Sequence, residues 1–208
     1  MKFPAVRALE IFRYGILGVA LFLGARYVLT AREAVFIPKD GLVSLIPPSK
    51  ARTGTLSFSE GAVTHLVRDA DAFTEATPGG TIRQGESIAT AMGTAAVSIP
   101  DIGTLEIGDH TEVSFANLIP ETPVFFQTYG TVRYIAETAP ISVRMLHSVL
   151  TGQGTAILTY ENLNAHIEVE SGSFTIGIID PSNTTHTYTA TAGKALNVND
   201  AERTVTVE

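Results

Sequence analysis

The chain predicts an all-β domain of short strands carried on one N-terminal transmembrane helix. Three observations predict it. A single long apolar run, Tyr14 to Ala31, lies near the N-terminus and has no counterpart later. Beyond it, apolar and polar residues alternate with period two in run after run, which turns one face of a strand to a core and the other to water. Those runs are filled with Val, Ile, Thr, Phe and Tyr and punctuated by Gly, Pro, Asn and Asp, as strands joined by turns require.

The apolar run sets the N-terminal reading. A helix crosses a bilayer with roughly 20 mostly apolar residues, and residues 14–33 meet that need. Tyr14 to Ala25 carry no charge. Arg26 lies close enough to the distal end for its guanidinium to reach the headgroups, and Tyr14 and Tyr27 suit the two interfaces. Gly15, Gly18 and Gly24 leave smooth surface on which a neighbouring helix can pack closely. Residues 1–13 form a short amphipathic interfacial segment, because Phe3, Val6, Leu9 and Phe12 recur every third residue. A cleaved signal peptide is the rival reading. Its best cleavage site follows Ala25, but Leu23 stands where a small residue is wanted, so an uncleaved anchor is preferred. Lys2, Arg7 and Arg13 on one side nearly balance Arg26, Arg32 and Lys39 on the other, so charge alone does not orient the helix.

Residues 34–52 read as a linker stiffened by Pro38, Pro47 and Pro48. The β domain takes residues 53–208. Leu105 and Ile107 flank Glu106, Val113 and Phe115 flank Ser114, and Val132 and Tyr134 flank Arg133. Ile141, Val143 and Met145 share a face, as do Ile167 and Val169, then Phe174, Ile176 and Ile178, and finally Val205 and Val207. Met145 to Leu150 is at most a helical turn. Gly85, Gly103, Gly130, Gly154 and Gly172 each precede a short β run, and each is expected to make a turn of positive φ before a strand.

Composition and motifs limit the chemistry. Net charge is −7 with no basic stripe, which argues against nucleic-acid binding. There is no cysteine, so disulfides, thiolate metal sites and cysteine catalysis are excluded. His65, His110, His147, His166 and His186 have no metal-ligand spacing and read as solvent-facing structural residues. Asp69 and Asp71 lack the further oxygen donors that calcium needs. Asp109-His110 reads as turn chemistry, and Pro181-Ser182-Asn183 as a loop tip. No nucleophile elbow, phosphate loop or dinucleotide fingerprint occurs. The expectation is no catalytic residue, no metal, no cofactor and no enzyme activity. Phe125 and Phe126 are the candidate partner contacts. As neighbours on a strand they point to opposite faces, one to the core and the other outward.

The glycine-led strands resemble the FecR-like extracytoplasmic domain family over roughly residues 55–200. The resemblance rests on Gly85-Glu86 followed by Ala89-Thr90-Ala91, on Asp101-Ile102-Gly103-Thr104, on the strand Gly130 to Tyr134, on Gly154-Thr155-Ala156-Ile157, on Gly172 to Ile176, and on Ala192-Gly193 to Val198. It implies a solenoid-like or twisted sandwich of antiparallel strands outside the cytoplasmic membrane, hence a cytoplasmic N-terminus and a periplasmic body. Signalling members carry an anti-sigma domain before the membrane helix. Here thirteen residues precede Tyr14, and nothing past Val198 matches the C-terminal domain of receptor-coupled members, so the resemblance does not carry their signalling role.

Two functions remain as expectations. The first is a non-catalytic, single-pass subunit with a structural or assembly role in a bacterial membrane or envelope complex, for example a photosynthetic or respiratory one. Its partners would be other membrane-protein subunits, met by the helix and by the β domain. The second is an extracytoplasmic binding or sensing module for a peptide, glycan or envelope polymer, with Tyr129, Tyr134, Tyr160 and Tyr188 lining a groove.

Overall fold

Period-two patterning in the body becomes one antiparallel sheet. The computed structural model describes residues 50–180 and 182–208. The anchor 14–33, the segment 1–13, nearly all of the linker, and Gly15, Gly18 and Gly24 lie outside the described residues. Among the described residues there is no helix, and so none long and apolar enough to cross a membrane. The strands are β1 (Gly54–Leu66), β2 (Thr74–Glu75), β3 (Thr81–Ile82), β4 (Ser87–Ile99), β5 (Gly103–Ile107), β6 (Thr111–Asn117), β7 (Val124–Arg144), β8 (Ser148–Glu161), β9 (Asn164–Ile179), β10 (Thr185–Thr191), β11 (Ala195–Asn199) and β12 (Thr204–Val207). Met145 to His147 form a bend and β8 starts at Ser148, so the helical turn allowed at Met145–Leu150 does not form. A hydrogen-bonded pair, Val149 opposite Arg144, claims that backbone for the sheet instead.

Several strands share a lane. β5 and β6 lie end to end between β4 and β7: Ala95 to Ile99 pair with β5 and Ser87 to Thr90 with β6, while β7 pairs with both. β10 and β11 likewise share the flank of β9. The lanes follow chain order from β1 through β4, β7, β8 and β9 to β12, with β2 and β3 folded onto the outer edge of β1. β7 also returns beside itself, since the Ser142 N–H donates to the Pro123 carbonyl at 2.9 Å.

The strands are longer than the sequence suggests. β7 has 21 residues, β8 14 and β9 16. The five glycines do adopt positive φ, but only Gly85 and Gly103 lie in a turn or at a strand start. Gly130, Gly154 and Gly172 lie inside β7, β8 and β9. Gly154 and Gly172 face each other across β8 and β9. A Cβ on Gly172 would stand 2.0 Å from the Gln153 carbonyl oxygen, and one on Gly154 2.2 Å from that of Ser171. Glycine here permits two backbones to approach at an irregularity in the register. The ladder passes through these points.

Alternation then fills the core. Val132 and Tyr134 are fully buried while Arg133 on the other face reaches Glu106 and Glu170. Leu105, Ile107, Val113, Phe115, Ile141, Val143, Ile167, Val169, Phe174, Ile176 and Ile178 are buried as their spacing predicts. Each fully buried side chain of this size contributes about 1.5–3 kcal/mol relative to exposure. Val205 and Val207 depart from the pattern: Val205 is only partly buried and Val207 is exposed, because β12 pairs with β11 alone. Phe125 meets Phe115 edge-on, with ring centroids 5.9 Å apart, and Tyr134 at 5.8 Å. The buried Tyr134 hydroxyl donates to Gln127 Oε1 at 3.0 Å, and Gln127 Nε2 donates to the carbonyls of Gly130 and Leu158. This satisfied polar group ties Gln127, Gly130 and Tyr134 of β7 to Leu158 of β8.

Candidate functional site

Where β7 returns beside its own start, the outer face of the sheet carries apolar side chains. Four adjacent pairs of apolar residues meet here: Phe125-Phe126, Met145-Leu146, Val149-Leu150 and Ile178-Ile179. In each pair one residue is buried and the other exposed, as opposite strand faces dictate for the three pairs within strands and as the bend dictates for Met145-Leu146. The exposed members are Phe126 (38%), Leu146 (56%), Val149 (38%) and Ile179 (48%), and they line one shallow depression of about 450 Å³. Phe125, offered by the sequence as a second candidate contact, belongs to the core. Only Phe126 of that pair reaches the surface.

Two arginines frame this apolar surface. Arg144, Arg203 and His147 line the depression, and among the described residues no Asp or Glu does. Arg144 has no carboxylate within ion-pairing distance among the described residues. The Arg203 guanidinium donates to the Asp180 carbonyl at 3.4 Å and has no carboxylate partner there either.

The floor is held by a buried carboxylate. Asp200, wholly inaccessible, accepts from the His147 N–H at 3.0 Å and from the Tyr160 hydroxyl at 2.9 Å through Oδ2. Its Oδ1 is the one buried side-chain oxygen or nitrogen among the described residues without a hydrogen-bond partner. Burial, and then the neighbouring Asp200, pushes the Tyr160 hydroxyl up to about 12. Met145 and Ser148 close the bend through a backbone hydrogen bond of 3.0 Å, which sets Leu146 outward.

Other residues singled out by the sequence lie elsewhere. His65 is half-buried and bonds the nearly buried Glu86 at 2.9 Å. It is therefore a structural partner within β1, and the solvent-facing reading does not hold for it. His110 adopts φ 45° in the turn before β6, beside Asp109. Asp69 and Asp71 are exposed. Asn183 occupies a loop tip, where Asp180 accepts from the Ser182 hydroxyl and the Thr184 N–H. Those two bonds and His186 hold the Asp180 carboxyl well below the usual carboxylate range. His166 bonds Asn197 Oδ1 and Glu168 Oε1, joining β9 to β11, and the Asn197 contact, followed by Glu168, raises its pKa above the ordinary histidine value. Among the described residues no group of three or more His, Asp or Glu side chains is placed to hold a metal. Tyr134 and Tyr160 are buried, so the four tyrosines do not line a common groove.

Sequence reasoning reached Phe126 but missed Leu146, Val149, Ile179, Arg144 and Arg203. The signal was the apolar pair, which breaks period two wherever both strand faces are covered or one is offered to a partner. It was used at Phe125-Phe126 alone.

No family model matches the chain, and no curated protein matches it. Among solved structures it is similar to two crystal structures of a candidate anti-sigma factor from Parabacteroides distasonis. The structure at 1.65 Å aligns with TM-score 0.48 and 14% identity over 59% of this chain and 58% of that one. The structure at 2.50 Å gives TM-score 0.47 and 13% identity over 58% and 57%. The match spans less than two thirds of those chains.

Proposed function

We propose that this protein is a non-catalytic, membrane-anchored subunit whose β domain docks onto another protein in a bacterial envelope complex. The observation that carries this reading is the apolar depression built from Phe126, Leu146, Val149 and Ile179. Clustered exposed apolar side chains flanked by arginine are the composition of protein contact surfaces. The anchor supports the same reading from the sequence: residues 14–33 suit a bilayer, and Gly15, Gly18 and Gly24 suit helix packing. The FecR-like resemblance, with a twisted-sandwich or solenoid-like body, a cytoplasmic N-terminus and a periplasmic β domain, belongs to this proposal.

The test is native purification of the full chain in mild detergent. Phe126→Asp combined with Ile179→Asp changes two exposed side chains, so the melting temperature should stay within a few degrees. A stoichiometric membrane-protein partner should be lost. A partner retained at full stoichiometry would contradict docking through this surface.

A further inference from the structure

Charge around the depression specifies its occupant. Over residues 50–208 there are eighteen Asp and Glu against eight Lys and Arg, a net charge of −10. Among the described residues Arg52, Arg68 and Arg133 each have a carboxylate within 4 Å of the guanidinium. The guanidinia of Arg83, Arg144 and Arg203 have none among the described residues, and of these three Arg144 and Arg203 line the same apolar depression. Among the described residues neither guanidinium has a carboxylate partner, and each retains donors in the planar fork that suits a carboxylate. A second copy meeting this face through a two-fold axis would bring arginine against arginine. A basic partner would meet the same repulsion.

We propose that the depression binds a segment of a partner protein whose apolar side chains seat against Phe126 and Leu146 while its carboxylates pair with Arg144 and Arg203. The inference rests on the docking reading above and adds the chemistry of the partner. The apolar contacts anchor the segment. The two arginines select it and fix its register, since a wrong charge would leave both guanidinia opposed.

The test uses the full chain in nanodiscs of phosphatidylcholine and two dye-labelled octapeptides, one alternating Leu with Glu and one alternating Leu with Lys, followed by fluorescence anisotropy. The Glu peptide should bind at least about tenfold tighter than the Lys peptide, and the margin should shrink as salt rises. Arg144→Glu with Arg203→Glu should reverse the preference, with an unchanged melting temperature showing that the fold is kept. Phe126→Asp should weaken both peptides. Equal binding of the two peptides, with both lost in Phe126→Asp, would overturn the acidic partner and leave docking standing. Failure of both peptides to bind, or binding indifferent to Phe126→Asp, would overturn the docking reading with it. Displacement of the Glu peptide by an equal concentration of dodecanoate would reassign the surface to a fatty anion and overturn a protein segment.

Discussion

Asp200 shows how one buried residue sets a local energy balance. Its Oδ2 satisfies two donors, the His147 N–H and the Tyr160 hydroxyl, while Oδ1 has none. Asn can keep an acceptor for both donors. Asp200→Asn should therefore change stability by no more than about 1 kcal/mol, whereas Asp200→Leu leaves the buried Tyr160 hydroxyl and the part-buried His147 N–H unpaired and should cost about 2–5 kcal/mol. Chemical denaturation of the two variants measures this, and an equal cost would show that the bonds to Oδ2 are not what holds the bend. His166 offers a second test. Its pKa is raised in the folded state by Asn197 and Glu168. The stability it adds is thus fully present below about pH 6.5, its unfolded value, and is lost as pH rises through the folded value. The difference in melting temperature between the natural chain and His166→Gln should shrink from pH 5.5 to pH 8.5. A difference that grows over that range would reverse the assignment. Neither role was legible beforehand, because the partners stand far away in sequence: Asp200 reaches His147, and His166 reaches Asn197.

At the scale of the strand, period two was the legible part. Val132, Tyr134, Phe174 and Ile176 face inward as their spacing requires. Glycine was misleading for a physical reason. A residue of positive φ serves a tight turn and a bend within a strand equally well, and only the partner strand decides between them. Gly172 lies opposite Gly154, so the chain bends there and continues pairing. Gly172→Val should cost at least about 2 kcal/mol, since it combines an unfavourable φ of 76° with a Cβ 2.0 Å from a carbonyl oxygen. Gly177, five residues on in the same strand, has nothing nearer to a new Cβ than the Val149 carbonyl oxygen at 3.9 Å. Gly177→Ala should be neutral or slightly stabilising. Thermal melts of the pair compare them directly, and similar losses would mean that the close approach at Gly172 is not what selects glycine. The same logic governs the docking surface. An apolar pair signals that both strand faces are covered or offered, but four such pairs converge only after β7 has come back beside its own start.

For the whole molecule, the central proposal is that the sheet offers one apolar, arginine-framed surface to a partner while a membrane-spanning segment expected at residues 14–33 would confine the chain to the membrane. Such confinement would raise the effective concentration of the proposed docking surface near a membrane partner, so that a weak contact would suffice. A photoreactive phenylalanine analogue placed at Leu146 in the full chain, and separately at Thr104 on β5 as a control outside the depression, measures this in intact membranes. Irradiation should join position 146 to one defined membrane-protein subunit, with Arg144→Glu and Arg203→Glu suppressing the product and position 104 giving none. Equal products from both positions, or a product at 146 indifferent to the two arginines, would contradict the claim.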